Sequence, residues 1–167
     1  ARPDLVFHLA GSRPPALLEA LWRDNVTSTL RLAEALKGSG ARLIVAGSSA
    51  EYGPGTSAPV NEDFPPSPIT LYGSIKRAQT LAALSFAHEG LDVRVARIFN
   101  VVGPGTPETL APGAFAAQIA RLERAEGGAL KVGDLRPARD FLDVRDAAQA
   151  LIALGRAPGL SGCTNIS

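Results

Sequence analysis

The sequence predicts an α/β fold built on a parallel sheet. Short, nearly continuous apolar runs recur at Asp4 to Ala10 (DLVFHLA), Arg42 to Ala46 (RLIVA) and Asp92 to Ile98 (DVRVARI), the pattern of strands buried on both faces. Between them lie segments whose apolar residues recur at helical spacing, and Gly- and Pro-rich stretches punctuate the joins. Strands alternating with helices argue for a parallel sheet with right-handed crossovers. In such sheets ligands gather outside the carboxyl ends of the strands.

Each element has its own signal. After the first strand comes a Gly-Ser-Arg-Pro-Pro loop. Asp24 then stands where it can cap a helix carrying Val26, Leu30, Ala33 and Leu36, which Gly38 and Gly40 stop. The second strand runs into Gly47-Ser48-Ser49, followed by a Gly/Pro-rich loop over Gly53 to Pro68. A helix is expected from about Leu71 to His88, closed by Gly90. The third strand leads to a Gly/Pro-rich loop over Gly103 to Pro112 and a helix from about Ala114 to Ala125. A short strand near Leu130 to Val132, a helix over Asp143 to Leu154 and a last strand over Cys163 to Ile166 complete the reading. The loops starting at Gly11, Ser48 and Asn100 would share one rim.

Composition narrows the function. The 167 residues are 46% hydrophobic and 20% charged, values of a globular chain and not of a disordered one. No window approaches ~18 uninterrupted apolar residues, so no membrane-spanning helix is expected. The chain as given opens on no basic segment followed by an apolar stretch. A net charge of +1 with interspersed signs offers no field for nucleic acid. Cys163 is alone, which forbids an internal disulfide and fits a reducing, cytoplasmic setting. No His/Cys cluster suggests a metal. His8 is read as a hydrogen-bonded core residue, Trp22 as packing, and Glu62-Asp63 as loop carboxylates pointing apart.

The chemistry-bearing residues are Ser48, Tyr72 and Lys76. Tyr72 and Lys76 stand four apart at the start of a helix and share one face. Ser48 ends the preceding strand on the same rim. The grouping suits proton transfer to or from an alcohol or sugar oxygen. A phenol with a pKa near ~10 is a poor base, and a nearby ammonium is expected to lower that value.

Six segments, in order, carry a resemblance: PDLVFHLAG (Pro3 to Gly11), NVTSTLRLAEAL (Asn25 to Leu36), SSAEYG (Ser48 to Gly53), YGSIK (Tyr72 to Lys76), RIFNVVGPG (Arg97 to Gly105) and RDFLDVRDAAQAL (Arg139 to Leu151). Together they resemble the extended short-chain dehydrogenase/reductase family, in its nucleotide-sugar branch. The resemblance implies a Rossmann-like, doubly wound sheet, partial in this chain. Residues 1–100 would form the dinucleotide-binding part. Residues 101–167 would be mostly substrate-binding, with helix 143–155 packing back on the first part.

It further implies NAD or NADP as cofactor, a nucleotide sugar as substrate and a homodimer formed through the helices carrying Asn25 and Tyr72. Tyr72 would be the catalytic acid/base. Lys76 would bind the nicotinamide ribose, and Ser48 would position the carbonyl. Leu9, Ala10, Gly11 and Ala46 would line the cofactor cleft, with Arg13 near the diphosphate and Phe99 near the nicotinamide. Asn25 would support the site, while Asn100 and Arg139 would hold the sugar nucleotide and its diphosphate. The family's opening strand, Gly-rich turn and helix do not precede Ala1, and roughly sixty further residues are expected there, with more chain beyond Ser167. Gly53 to Ala58 matches G-x-G-x-x-A but lacks the following helix, so it reads as a loop.

Within the branch, dehydratases carry an additional acid and base one and two places after the serine. Here those places hold Ser49 and Ala50, which disfavours dehydration. Glu51 stands one position too late and reads as a solvent or loop contact. The stretches AFAAQIARLE and VGDLRPARDFLDVRD most resemble reductases of GDP-4-keto-6-deoxymannose. A 4-epimerase is the alternative, and a non-catalytic sugar-nucleotide binding module is the alternative of another class.

Overall fold

The computed structural model describes residues 2–55, 58–125 and 127–167. A four-stranded parallel sheet has the order β1-β2-β3-β6, with β1 at Leu5–His8, β2 at Arg42–Ser48, β3 at Asp92–Ile98 and β6 at Gly162–Ile166. Leu43 lies opposite Val93, Ile44 opposite Arg94 and Val45 opposite Val95. Side chains alternate across a strand, so each face of the sheet carries its own core. Leu43, Val45, Val93 and Val95 meet Ala33, Leu36, Ala83 and Phe86 on one face. Ile44, Ala96 and Ile166 meet Leu151 and Leu154 on the other. Each fully buried aliphatic side chain contributes about 1.5–3 kcal/mol relative to exposure.

The helices supply those partners and make the sheet doubly wound. The first helical run is continuous: α1 (Leu18–Trp22), a π-turn (Arg23–Thr27) and α2 (Ser28–Leu36). It starts six residues before the expected cap at Asp24, which instead lies within the π-turn, 2.7 Å from Arg23 Nε. The turn is accommodated by Asn25, whose side-chain amide donates to the carbonyls of Leu21 (2.8 Å) and Ser12 (2.9 Å). Trp22, expected to be packed, is about half exposed (48%).

Helix α3 (Leu71–Ser85) is capped by Thr70, whose hydroxyl accepts from Gly73 N at 3.0 Å. A 3₁₀ turn over Phe86–Glu89 and Gly90, at φ +88°, end it. Helix α4 (Ala111–Arg124) begins three residues earlier than expected, with a proline in its first turn.

Two strands escaped the sequence reading and one expected strand is absent. Strands β4 (Asn100–Val102) and β5 (Phe141–Asp143) form a separate parallel pair. The segment near Leu130 to Val132 is not a strand. Gln118 of α4 donates to Lys131 O (3.0 Å) and accepts from Lys131 N (2.9 Å), occupying the groups a neighbouring strand would use.

Helix α5 (Val144–Arg156) follows β5 directly, with Asp143 capping it by accepting from Arg145 N at 2.8 Å. It covers the second face of the main sheet through Leu151 and Leu154. Its carboxyl end is held by two arginines of the sheet: Arg42 donates to Gly155 O at 2.6 Å and Arg94 to Ala157 O at 2.7 Å. Among the described residues, no helix is long and apolar enough to cross a membrane.

Candidate active site

The site begins where β2 ends. Ser48 is still extended (φ −153°, ψ 143°) and caps the 3₁₀ turn Ser49–Tyr52, its Oγ accepting from Ala50 N at 3.2 Å. The turn presses against the start of α3. A Cβ on Gly73 would stand 2.4 Å from Ala50 O, so only glycine permits this approach. A Cβ on Gly53, at φ +82°, would stand 1.8 Å from Ser67 O, so the same turn must also leave through a glycine. The expected loop over Gly53 to Ala58 includes Thr56 and Ser57, which lie outside the described residues.

Tyr72, half-buried in the first turn of α3, is brought to Ser48. Burial pushes its phenol above the ordinary value, while the Ser48 hydroxyl and the charge of Arg13 pull it back and Glu51 adds to the rise. The expected lowering therefore does not prevail, and its sources are Ser48 and Arg13. Lys76 is buried one turn later, and its ammonium turns to the sheet, donating to Ala46 O at 2.6 Å and to Gln79 Oε1. Burial pushes its pKa down to about 8, partly offset by Glu51.

Beneath the site runs a buried polar chain. Gln79 donates to Thr29 Oγ1 at 2.9 Å, and Thr29 donates to Asn25 O at 2.6 Å. Lys76 on α3 is thereby tied to the π-turn around Asn25. His8, buried as expected, lies 3.3 Å from Ser28 Oγ, and burial and Lys76 both lower its pKa.

The remaining expected residues divide into two groups. Leu9, Ala10 and Gly11 are exposed just past β1, whose His8 pairs with Val45, so they stand level with Ala46 and its neighbours. A Cβ on Gly11 would lie 2.6 Å from Asn25 Oδ1. Phe99 is half-buried beyond Ile98, which pairs with Ser48, and its amide donates to Ile166 O at 3.0 Å. These residues share the rim of Ser48, Tyr72 and Lys76. Asn100 and Arg139 stand at the β4–β5 pair, where Asn100 Nδ2 donates to Asp140 O at 2.8 Å. Arg139 is exposed and donates to Ala138 O at 2.7 Å, and no contact joins it to Ser48, Tyr72 or Lys76 among the described residues.

Glu51 corrects the sequence reading. It is fully buried, and its carboxylate accepts from Ser48 N and Thr80 Oγ1, each at 3.0 Å, beside Arg97 Nε at 3.3 Å. The S-x-x-E spacing of Ser48 and Glu51 is that of a capping box, and it was the legible signal. Gln79, Thr80 and Arg97 carried none, because polar groups in apolar periodic segments look like surface residues. Glu62, read as a loop carboxylate, accepts from Asn165 N at 2.7 Å.

The family model "NAD dependent epimerase/dehydratase family" matches residues 1–164. The chain is 36% identical over 165 residues to GDP-6-deoxy-D-mannose reductase of Pseudomonas aeruginosa, covering 91% of this chain and 53% of the relative. It is 33% identical over 155 residues to UDP-glucuronate 4-epimerase of Thermodesulfobacterium geofontis, covering 89% and 46%. The structure of RMD from Pseudomonas aeruginosa complexed with NADPH superposes with a TM-score of 0.88 at 32% identity, covering 99% of this chain and 61% of that one. The chain thus spans about half the length of these curated relatives (53% and 46%). With the match running through nearly every element described above, the chain belongs to the NAD dependent epimerase/dehydratase family.

Proposed function

We propose that the chain carries the catalytic residues of an NAD(P)-dependent reductase acting on a nucleotide-linked 4-keto-6-deoxy sugar. The observation that carries this reading is Tyr72 beside Ser48 at the carboxyl end of β2, its phenol favoured in the protonated, proton-donating form. The similarity to a GDP-6-deoxy-D-mannose reductase over 91% of the chain supports the substrate class.

The residues present suit a nicotinamide cofactor. Two of the three ammonium protons of Lys76 go to Ala46 and Gln79, leaving one for a ribose hydroxyl. Gly11, where a Cβ would meet Asn25, lets the backbone after β1 pack directly on the Asn25 side chain, with Leu9 and Ala10 exposed beside it at the rim. Arg13 would meet the diphosphate and Phe99 would pack near the nicotinamide ring. The cofactor supplies a hydride when bound. Tyr72 gives its proton to the C4 oxygen of the sugar, Ser48 donates a hydrogen bond to the same oxygen, and solvent restores the Tyr72 proton. Asn100 and Arg139 would hold the sugar nucleotide, Arg139 as a forked donor to its diphosphate.

A 4-epimerase is the second reading, favoured by the 33% identity to UDP-glucuronate 4-epimerase. The two differ in stoichiometry. The full-length protein is mixed with GDP-4-keto-6-deoxymannose and NADPH or NADH. Net cofactor oxidation matching sugar reduced supports the reductase. Isomerisation of a UDP or GDP hexose with no net consumption supports the epimerase. Binding of the sugar nucleotide without either reaction, unchanged by Tyr72→Phe, returns the protein to a binding module.

The functional unit we propose is a homodimer. Leu18 and Trp22 on α1 and Leu71 and Leu81 on α3 are exposed apolar side chains on the two helical segments that flank the site, and a second copy would cover them.

A further inference from the structure

The reaction proposed above uses Ser48, Tyr72 and Lys76 and gives no task to Glu51. Glu51 is 0% exposed and Arg97 3% exposed, and they face each other at 3.3 Å. Arg97 is held in turn by Tyr52: its Nη1 donates to the hydroxyl at 2.9 Å, and the guanidinium lies 4.8 Å from the ring centroid. A buried ion pair is a poor stabiliser compared with apolar residues of the same volume. This pair is aimed instead at one backbone group, the Ser48 amide, 3.0 Å from Glu51 Oε1. With that amide held, Ser48 Oγ accepts from Ala50 N, so its single proton is left to donate away from the turn.

We propose that Glu51 is a positioning residue for this site: anchored by Arg97 and Thr80, it holds the Ser48 backbone so that the Ser48 hydroxyl, beside Tyr72, donates to the substrate oxygen. The inference rests on the reading of Ser48 and Tyr72 given above. Electrostatics gives it a second signature. Tyr72 is faced by Arg13 from the segment after β1 and by Ser48 and Glu51 from the turn after β2, while Lys76, one turn along α3, points its ammonium at Ala46 O and is itself faced by His8 of β1. Glu51 is faced by Arg97 of β3, by Thr80 and Lys76 of α3, by Tyr52 through Arg97, and by Cys163 of β6. Burial is what chiefly holds the Tyr72 phenol in its protonated form; of the groups facing it the Glu51 charge adds to that rise, so neutralising it moves the phenol down.

The test uses the full-length enzyme and its keto-sugar reduction. Glu51→Gln keeps an acceptor for the Ser48 amide and removes the charge. The expected result is a kcat lower by about tenfold and a KM within about twofold of wild type, because Glu51 acts through Ser48 and makes no contact of its own with substrate. The alkaline limb of the kcat–pH profile moves to lower pH. Thr80→Val, nearly the same shape, removes one donor from the carboxylate and lowers kcat in the same direction by a smaller factor. Should Glu51→Gln fail to fold, Thr80→Val decides. A wild-type kcat, or a fall in kcat with an unmoved pH profile, overturns the proposal. Tyr72→Phe is run alongside: its loss of activity keeps the reading of the site whatever Glu51 does, and retained activity sinks that reading separately.

Discussion

The Lys76 ammonium donates to the backbone carbonyl of Ala46 across 2.6 Å, tying the second turn of α3 to the end of β2. The ammonium is thereby buried, and burial has a thermodynamic consequence. Its pKa is about 8 in the folded protein against 10.5 for the ordinary group. Between those values the unfolded chain binds more protons than the folded one, so stability rises with pH.

In the full-length protein, the Lys76 contribution is therefore least favourable below about pH 8 and improves as pH climbs toward 10.5. The rise is at most about 3 kcal/mol at 1.36 kcal/mol per unit. Urea midpoints measured for wild type and Lys76→Met over this range isolate it, since the difference between the two proteins cancels the other titrating groups. A difference independent of pH would mean that the ammonium is not desolvated.

Tyr72→Phe removes the proposed proton donor while keeping the ring. Loss of a general acid costs about 10²–10⁴-fold. The expected outcome is that large a fall in kcat for keto-sugar reduction, with a thermal midpoint close to wild type. Cofactor oxidation followed by absorbance measures the first and a melting curve the second.

Gly73→Ala separates close approach from helix propensity. Alanine favours a helix interior by about 1 kcal/mol over glycine, yet its Cβ would stand 2.4 Å from Ala50 O. Forcing such contacts apart costs about 1–3 kcal/mol. The variant should be less stable, and the separation of α3 from the turn should lower kcat by moving Tyr72 from Ser48. Gly55→Ala, with nothing within 4 Å of its Cβ, is the neutral control. Equal melting points for the two variants would refute the close approach.

Trp22→Arg with Leu81→Arg places charges on the exposed apolar positions of α1 and α3. If a second copy covers them, sedimentation velocity will find wild type as a dimer and the double variant as a monomer. A wild-type monomer at micromolar concentration would exclude this interface.

Much of the fold and part of the site are legible in the sequence. Buried parallel strands write themselves as apolar runs, so β3 has its expected bounds and β2 its expected start, running two residues further to Ser48, and the Gly90 stop of α3 follows from the left-handed conformation that glycine adopts freely. The four-residue spacing of Tyr72 and Lys76 put them on one helix face, and Ser48 at a strand end put it on the same rim. Three-residue strands leave almost no periodicity, so β4 and β5 could not be read and their pairing depends on residues 41 positions apart, such as Asn100 and Phe141.

What the sequence alone determined is the order of buried strands and helices and the shared rim of Ser48, Tyr72 and Lys76, because both are written in local periodicity and spacing. What only the tertiary structure decided is where the buried charges go. Glu51 and Arg97 meet across 46 positions, Gln79 and Thr29 across 50, and the ammonium of Lys76 reaches back 30 positions to Ala46. A polar side chain reads as exposed until the element that satisfies it is known, since burial is tolerable only with a partner. Beyond the local capping box of Ser48 and Glu51, those partners come from distant parts of the chain, so no local pattern could announce them.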